Sequence, residues 1–255
     1  MDPLAEDFQK AAEILRESDF TTAFTGAGIS VESGITPFRG EGGLWSKYDP
    51  RMLEIGYFLE KPLESWKIIK EIFFDFFGKA SPNKAHQVLA EMERRGMLAR
   101  TITQNIDNLH QEAGSMHVFE FHGNSKHLIC LACTTTFKAG EIRLDPLPPV
   151  CSRCGGLLKP DFVFFGEAIP PLPLTAAYEA AELSQAFLII GTTGEVMPAN
   201  QIPFMAKRNG ARIIEVNPEE SSYTNRITDV FLKGKATAVM ERLASILFSP
   251  ALDND

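Results

Sequence analysis

Short runs rich in β-branched and aromatic residues recur at 21–24, 99–103, 118–121, 186–190, 212–216 and 229–232, with helix-patterned stretches between most of them. Runs that apolar suit strands buried on both faces, and their alternation with helices predicts an α/β fold around a largely parallel sheet. The first 18 residues predict an amphipathic helix with Leu4, Phe8, Ala11, Ala12 and Leu15 on one face. A second helix is predicted from Ser81 as cap and Pro82 as first residue to Gly96 as terminator, its apolar stripe of Ala85, Val88, Leu89 and Met92 covering the sheet.

The alternation breaks twice. Between Glu120 and Pro160 two cysteine pairs appear with a proline-rich spacer, which predicts an inserted module. Residues 40–81 are rich in aromatics and predict a mobile loop followed by helices on the same side.

With 255 residues the chain can bury a substantial core, as one globular unit or one large domain carrying a small insertion. Apolar residues make up 44% and charged residues 23%, which predicts an ordinary folded protein rather than a disordered or fibrous one. A net charge of -8 gives no global basic field, so direct nucleic-acid binding is not expected. The densest apolar run, Ile72-Phe73-Phe74-Asp75-Phe76-Phe77, is far short of the roughly 18 residues a membrane span needs. The acidic N-terminus lacks the basic-then-apolar order of a signal peptide, and a cytoplasmic protein is expected.

Cys130-x-x-Cys133 and Cys151-x-x-Cys154 are separated by 17 residues, the spacing of two thiolate knuckles around one tetrahedral zinc. Four thiolates leave no open position for water, so the expected zinc is structural; the alternative is four reduced cysteines without metal.

Gly26-Ala27-Gly28-Ile29-Ser30 follows the first predicted strand, where glycines let backbone amides approach a diphosphate at a helix N-terminus. The third glycine of the usual dinucleotide fingerprint would fall at Val31, and a tight strand-to-helix turn would need the same glycines without any ligand. Gly191-Thr192-Thr193-Gly194 ends the most apolar strand, and Asn217 follows the next, where it could meet a ribose hydroxyl or simply form a turn with Pro218. Ligands gather at this carboxyl edge of a parallel sheet. The run from Thr103 through Gln104, Asn105, Ile106, Asp107 and Asn108 to His110 crowds amides, a carboxylate and an imidazole into one turn, either functional or a loop bonding its own backbone. His122 precedes Gly123 at a strand end and is a candidate general base. His86, His117 and His127 are assigned to packing or solvent.

Taken together and in order, these segments, with 34–40 and with Val163-Phe164-Phe165-Gly166-Glu167, resemble the sirtuin family of NAD-dependent protein-lysine deacylases, in its prokaryotic single-domain form. The resemblance implies a Rossmann-type NAD-binding large domain of residues 1–39, 82–124 and 157–255, into which is inserted a small domain built of a helical module, 40–81, and a zinc-ribbon module, 125–156. It implies NAD contacts from Gly26, Ala27, Gly28, Phe38, Arg39, Gln104, Asn105, Gly191, Thr192 and Thr193, with Ile106 and Asp107 on the nicotinamide carboxamide and Asn217 on the adenosine ribose. Catalysis falls to His122, Asn105 and Asp107, and His122 takes a proton from a ribose hydroxyl so that it can attack the acyl carbon. Residues 163–167 pair as a strand with the substrate peptide. Cofactors are NAD and one structural Zn2+ on Cys130, Cys133, Cys151 and Cys154; the partner is acylated lysine in proteins, with no nucleic acid, no membrane, and a monomer or weak oligomer expected.

Two positions depart from the family pattern. Thr36 precedes Pro37 where the proline usually comes one residue earlier, which changes the loop over the nicotinamide pocket but keeps Phe38 and Arg39. Glu195 stands where a small or apolar residue is usual and is expected to face solvent. Family members that prefer acidic acyl groups carry Tyr and Arg three residues apart on a small-domain helix; here those positions are Ile69 and Ile72, which points to acetyl or longer neutral chains. The competing activities for the same pocket are mono-ADP-ribosyl transfer and NAD hydrolysis, and the non-enzymatic alternative is an NAD-sensing scaffold.

Overall fold

The computed structural model describes residues 3–38, 42–76 and 80–249, leaving aside the side chains of residues 3, 4, 75 and 76. Arg39 and the side chain of Leu4 therefore lie outside the described set. The strands, in chain order, are β1 (Thr21–Thr25), β2 (Arg100–Thr103), β3 (Val118–Glu120), β4 (Gly123–Cys130), β5 (Thr136–Lys138), β6 (Leu158–Phe162), β7 (Ala186–Ile190), β8 (Arg212–Asn217) and β9 (Val230–Lys233). The α-helices are α1 (Pro3–Glu17), α2 (Ile55–Glu60), α3 (Pro62–Ile69), α4 (Lys84–Arg94), α5 (Leu109–Glu112), α6 (Pro171–Leu183), α7 (Gln201–Arg208) and α8 (Ala236–Leu247).

Six strands form one sheet in the order β3-β2-β1-β7-β8-β9, every described pair parallel. Counted within this sheet alone that is 3-2-1-4-5-6, the doubly wound order in which a crevice opens between the first and fourth strands, here β1 and β7. All residues of β1 and β7 are buried, β7 as a continuous apolar run and β1 with three threonines among its five residues. One face is covered by α1, α4 and α8, with Phe8, Leu15, Leu89, Leu188 and Leu243 in its core; the other carries α6 and α7 over Phe24, Phe187 and Ile189.

The helix expected to start at Ser81 begins later, with Asn83 as its cap. The Asn83 side-chain oxygen accepts from the Ala85 and His86 amides, and the His86 ring reaches back to the Asn83 N–H, so three otherwise unpaired helix-end donors are satisfied. Its end is as predicted: Gly96 takes φ +73°, and the Met97 amide bonds back to the Met92 carbonyl.

A second, three-stranded antiparallel sheet runs β5-β4-β6. It shares one core with α2, α3 and the π-helical stretch Lys70–Phe76, where Phe58, Trp66, Ile69 and Ile72 meet Leu128 and Leu158. The Trp66 indole donates to the Leu158 carbonyl at 2.9 Å, tying the helices to β6. Among the described residues no helix is long and apolar enough to cross a membrane.

Candidate active site

The carboxyl ends of β1, β2, β3, β7 and β8 open into one cleft of about 430 Å³, closed on the far side by the helical segment and the run 162–167. Its floor is the meeting of two glycine turns. The Gly28 amide donates to the Gly191 carbonyl at 2.8 Å, and a Cβ on Gly28 would come within 2.6 Å of the Gly191 Cα, so both positions need glycine for backbone-to-backbone contact. Gly191 also sits at φ +66°. The tight-turn and ligand readings of these glycines are therefore compatible: the close packing leaves Gly26, Ala27, Gly28, Gly191, Thr192 and Thr193 all lining the cleft.

From β2, Gln104, Asn105 and Ile106 reach the cleft. Gln104 spans to the second glycine turn, its amide donating to the Thr192 hydroxyl at 3.2 Å. Asn105 is 7% exposed, and its amide nitrogen donates to Ser30 Oγ at 3.1 Å, which leaves Oδ1 to face a ligand. Asp107 is not among the lining residues. It accepts from Ser30 Oγ at 2.7 Å and from the Leu109 amide at 3.0 Å, and burial pushes its carboxyl above the usual range against the pull of the Leu109 amide, Ser30 and the Asn105 side chain. Behind it, His86 and His110 meet edge to face at 4.9 Å between ring centres. Burial brings them down to about 4 and about 3, so both are neutral packing groups under the site. His117 on the surface pairs with Glu93, and half-buried His127 with Asn124, in keeping with the sequence reading of these side chains.

His122 lines the cleft at the end of β3. Its Nδ1 lies 3.0 Å from the Gln104 carbonyl oxygen, which can only accept, so the proton sits on Nδ1 and Nε2 carries the free lone pair. Burial lowers the ring below its ordinary value, only partly offset by that carbonyl. The result is a neutral imidazole ready to take a proton.

The opposite wall is aromatic. Phe38 stands 5.3 Å from Trp45 between ring centres, and Trp45 stands 6.1 Å from Phe165. Trp45 and Phe73 both line the cleft, and neither was singled out from the sequence, because aromatics in an irregular segment read equally well as core. The loop bearing Phe38 is pinned by Leu44 and Trp45 amides donating to the Pro37 and Phe38 carbonyls, and Pro37 lines the cleft while Thr36 is exposed. Glu195 is exposed, as expected.

Val163, Phe164, Phe165, Gly166 and Glu167 all line the cleft, but their backbone is partly engaged. Phe165 donates to the Leu53 carbonyl and accepts from the Ile55 amide; Val163 donates to the His122 carbonyl; the Phe164 amide donates to the Glu167 carboxylate. Among the described residues the Val163 carbonyl and both backbone groups of Gly166 have no backbone partner, so an incoming chain meets this run at 163 and 166 rather than all along it. Lys159, 5% exposed, secures the turn: its Nζ lies 3.1 Å from Glu167 and donates to the Pro160 and Phe162 carbonyls.

At the outer end Asn217 lines the cleft with Glu219 and Glu220, and no Lys or Arg is among the described lining residues.

Away from the cleft, the sulfurs of Cys130, Cys133, Cys151 and Cys154 lie within 4.8 Å of one another, with closest pairs at 3.5 and 3.8 Å. Thiolates about 2.3 Å from a tetrahedral zinc stand about 3.8 Å apart, so this set fits one fully coordinated ion. All four cysteines are free thiols rather than disulfides.

Residues 26–198 match the Sir2 family. NAD-dependent protein deacetylase 1 of Pyrobaculum aerophilum is 39% identical over 97% of this chain and 99% of its own length, and an NAD-dependent protein deacylase of Aeropyrum pernix is 43% identical over 92% and 95%. Among solved structures, a Sir2 protein with deacetylated p53 peptide and 3′-O-acetyl-ADP-ribose superposes with a TM-score of 0.90 at 33% identity, covering 94% of this chain and 98% of that one. A Sir2 homologue bound to NAD superposes with a TM-score of 0.87 at 40% identity, covering 94% and 93%.

Proposed function

This chain belongs to the Sir2 family, and from that premise we propose how its cleft residues divide the work of NAD-dependent protein-lysine deacylation. The chain is an NAD-dependent protein-lysine deacylase that releases nicotinamide and O-acyl-ADP-ribose. Bound NAD supplies the leaving nicotinamide and the ribose that receives the acyl group. The cleft suits it: fused glycine turns offer amides for a diphosphate, and hydroxyl and amide groups of Gln104, Thr192, Thr193 and Asn217 line the same edge.

The observation that carries the assignment is the His122 ring, held with Nδ1 on the Gln104 carbonyl and Nε2 unprotonated in the cleft. His122 Nε2 takes up the proton of the attacking ribose hydroxyl. Asn105 presents Oδ1 beside it, and Ile106 closes the nicotinamide end. Asp107 acts one step back, holding the Asn105 side chain directly and through Ser30. Arg39 belongs to the same set of NAD contacts by its place in the motif. Phe38, Trp45 and Phe165 exclude water that would compete with the weakly nucleophilic acyl oxygen. The acyl-lysine backbone is met at Val163 and Gly166.

We assign residues 40–81 and 125–162 to the small domain, the ribbon running past the expected boundary at 156 because β6 pairs with β4, and the remainder to the NAD-binding domain, since the cleft lies between the two cores. Zinc holds the ribbon together and takes no part in the chemistry, because four thiolates fill its shell.

The test is mass spectrometry of products after incubation with NAD and acetyl-lysine peptide. Free lysine and O-acetyl-ADP-ribose in equal amounts are expected. Protein or peptide carrying ADP-ribose, with the acetyl group retained, would instead establish ADP-ribosyl transfer.

A further inference from the structure

Glu215 lies in β8 with no solvent exposure and is not among the residues lining the cleft, in an otherwise apolar run of Ile213, Ile214 and Val216. A buried carboxylate is costly unless it is surrounded by donors. Here four groups donate to it: Asn217 Nδ2 at 2.9 Å, Ser221 Oγ at 2.5 Å, Thr224 Oγ1 at 3.0 Å and Thr228 Oγ1 at 2.7 Å. The hydroxyls are polarised toward it, because Ser221 Oγ itself accepts from the Tyr223 amide and Thr224 Oγ1 from the Ser221 amide. Glu215 thereby gathers the turn 217–228 onto the end of β8.

Its effect on Asn217 is specific. The second hydrogen of Asn217 Nδ2 goes to the Thr192 carbonyl at 3.1 Å. Two acceptors claim both amide hydrogens, so the group Asn217 can offer the cleft is Oδ1, which only accepts. Glu219 and Glu220 line the same end, and no cation among the described lining residues stands ready for a phosphate.

We propose that Glu215 is a positioning residue that locks Asn217 as an acceptor and so makes this end of the cleft select a free ribose diol over a 2′-phosphorylated ribose. The proposal rests on the reading of Asn217 as the adenosine-ribose contact. An acceptor suits a hydroxyl donor and repels a phosphate, which dinucleotide sites otherwise admit with an arginine.

The test is calorimetric binding of ADP-ribose and 2′-phospho-ADP-ribose, which does not depend on turnover. Glu215→Ala frees the Asn217 amide, and ADP-ribose should bind about tenfold more weakly, as loss of one oriented hydrogen bond predicts. The preference over the 2′-phosphate should shrink at the same time, while Glu215→Gln, whose carbonyl can still accept from Asn217, should keep both. Equal weakening of the two ligands, or no change, overturns the proposal. If Glu215→Ala does not fold, the wild-type protein decides through adenosine-ribose analogues. A fluorine in place of either hydroxyl, being an acceptor only, should bind no better than hydrogen there; restored binding with fluorine would mean that Asn217 donates and would overturn the proposal. Indifference to loss of both hydroxyls overturns it too, whereas failure to bind ADP-ribose at all overturns the dinucleotide reading beneath it.

Discussion

His122 Nδ1 lies 3.0 Å from the carbonyl oxygen of Gln104, which fixes the ring's tautomer with a backbone atom that no side-chain substitution removes. Burial depresses the ring below its ordinary value of about 6.5. The competent form is the neutral one, so activity is retained above the lowered value and lost as pH falls through it. The kcat/KM profile should have its acid limb centred below the ordinary imidazole value of about 6.5. A limb centred above pH 7 would show that a different group, or a charged His122, is involved.

Lys159 and Glu167 form an ion pair almost entirely inside the protein, and the carboxylate in turn receives the Phe164 amide. Lys159→Met removes the cation and leaves Glu167 unpaired. Because Glu167 keeps 26% side-chain exposure, we expect the lower end of the usual cost, about 3 kcal/mol. Denaturant melts should show this loss, and the KM for peptide should rise while the KM for NAD stays put, since the turn at 164–167 shapes the peptide wall. Lys159→Arg should be milder.

Removing zinc should loosen the β5-β4-β6 sheet. The Trp66 indole, buried against the Leu158 carbonyl, reports on it. Chelation or Cys151→Ser should release one zinc per chain, shift tryptophan emission to the red and abolish activity. An unchanged emission spectrum after metal loss would mean the sheet stands without the ion.

Gly28→Ala places a methyl 2.6 Å from the Gly191 Cα, against backbone that cannot swing aside. Stability should fall by about 1–3 kcal/mol, and ADP-ribose binding should weaken because the two turns move apart. Thermal melting and calorimetry on the variant check both.

Ile69 and Ile72 are fully buried, and no Lys or Arg is among the described residues lining the cleft. A succinyl carboxylate therefore has no counter-charge there, and succinyl-lysine peptide should turn over more slowly than acetyl-lysine peptide. Equal or faster succinyl turnover would contradict this.

Much of the large sheet was legible because β7 and β8 are buried apolar runs and the other strands are short β-branched or aromatic runs between helices; each of the six was located within about a residue or two at its ends. The small sheet was not. β4 buries only Leu128 and Cys130 and β5 buries no residue, so only the metal spacing announced them. The cap at Asn83 was missed since Ser81-Pro82 offered an equally good start, and only the reach of the Asn83 oxygen to two amides separates the two. In the site, the glycine turns, His122 and the thiolates carry chemistry in their residue types and could be named. The resemblance put Asp107 on the nicotinamide carboxamide; in the structure its carboxylate accepts from Ser30 and the Leu109 amide, and it is not among the residues lining the cleft. Trp45 and Phe73 could not be told from core, and Glu215 had a signal that went unread: one charge inside an apolar strand.

The most direct measurement follows nicotinamide release and peptide deacetylation together in one reaction, for wild type and His122→Ala. Wild type should produce the two in equal amounts and only with acetylated peptide present. In His122→Ala, deacetylation should fall by about 10²–10⁴-fold while ADP-ribose binding stays within a few-fold of wild type. A variant that deacetylates at the wild-type rate would contradict the assignment of His122 as the base.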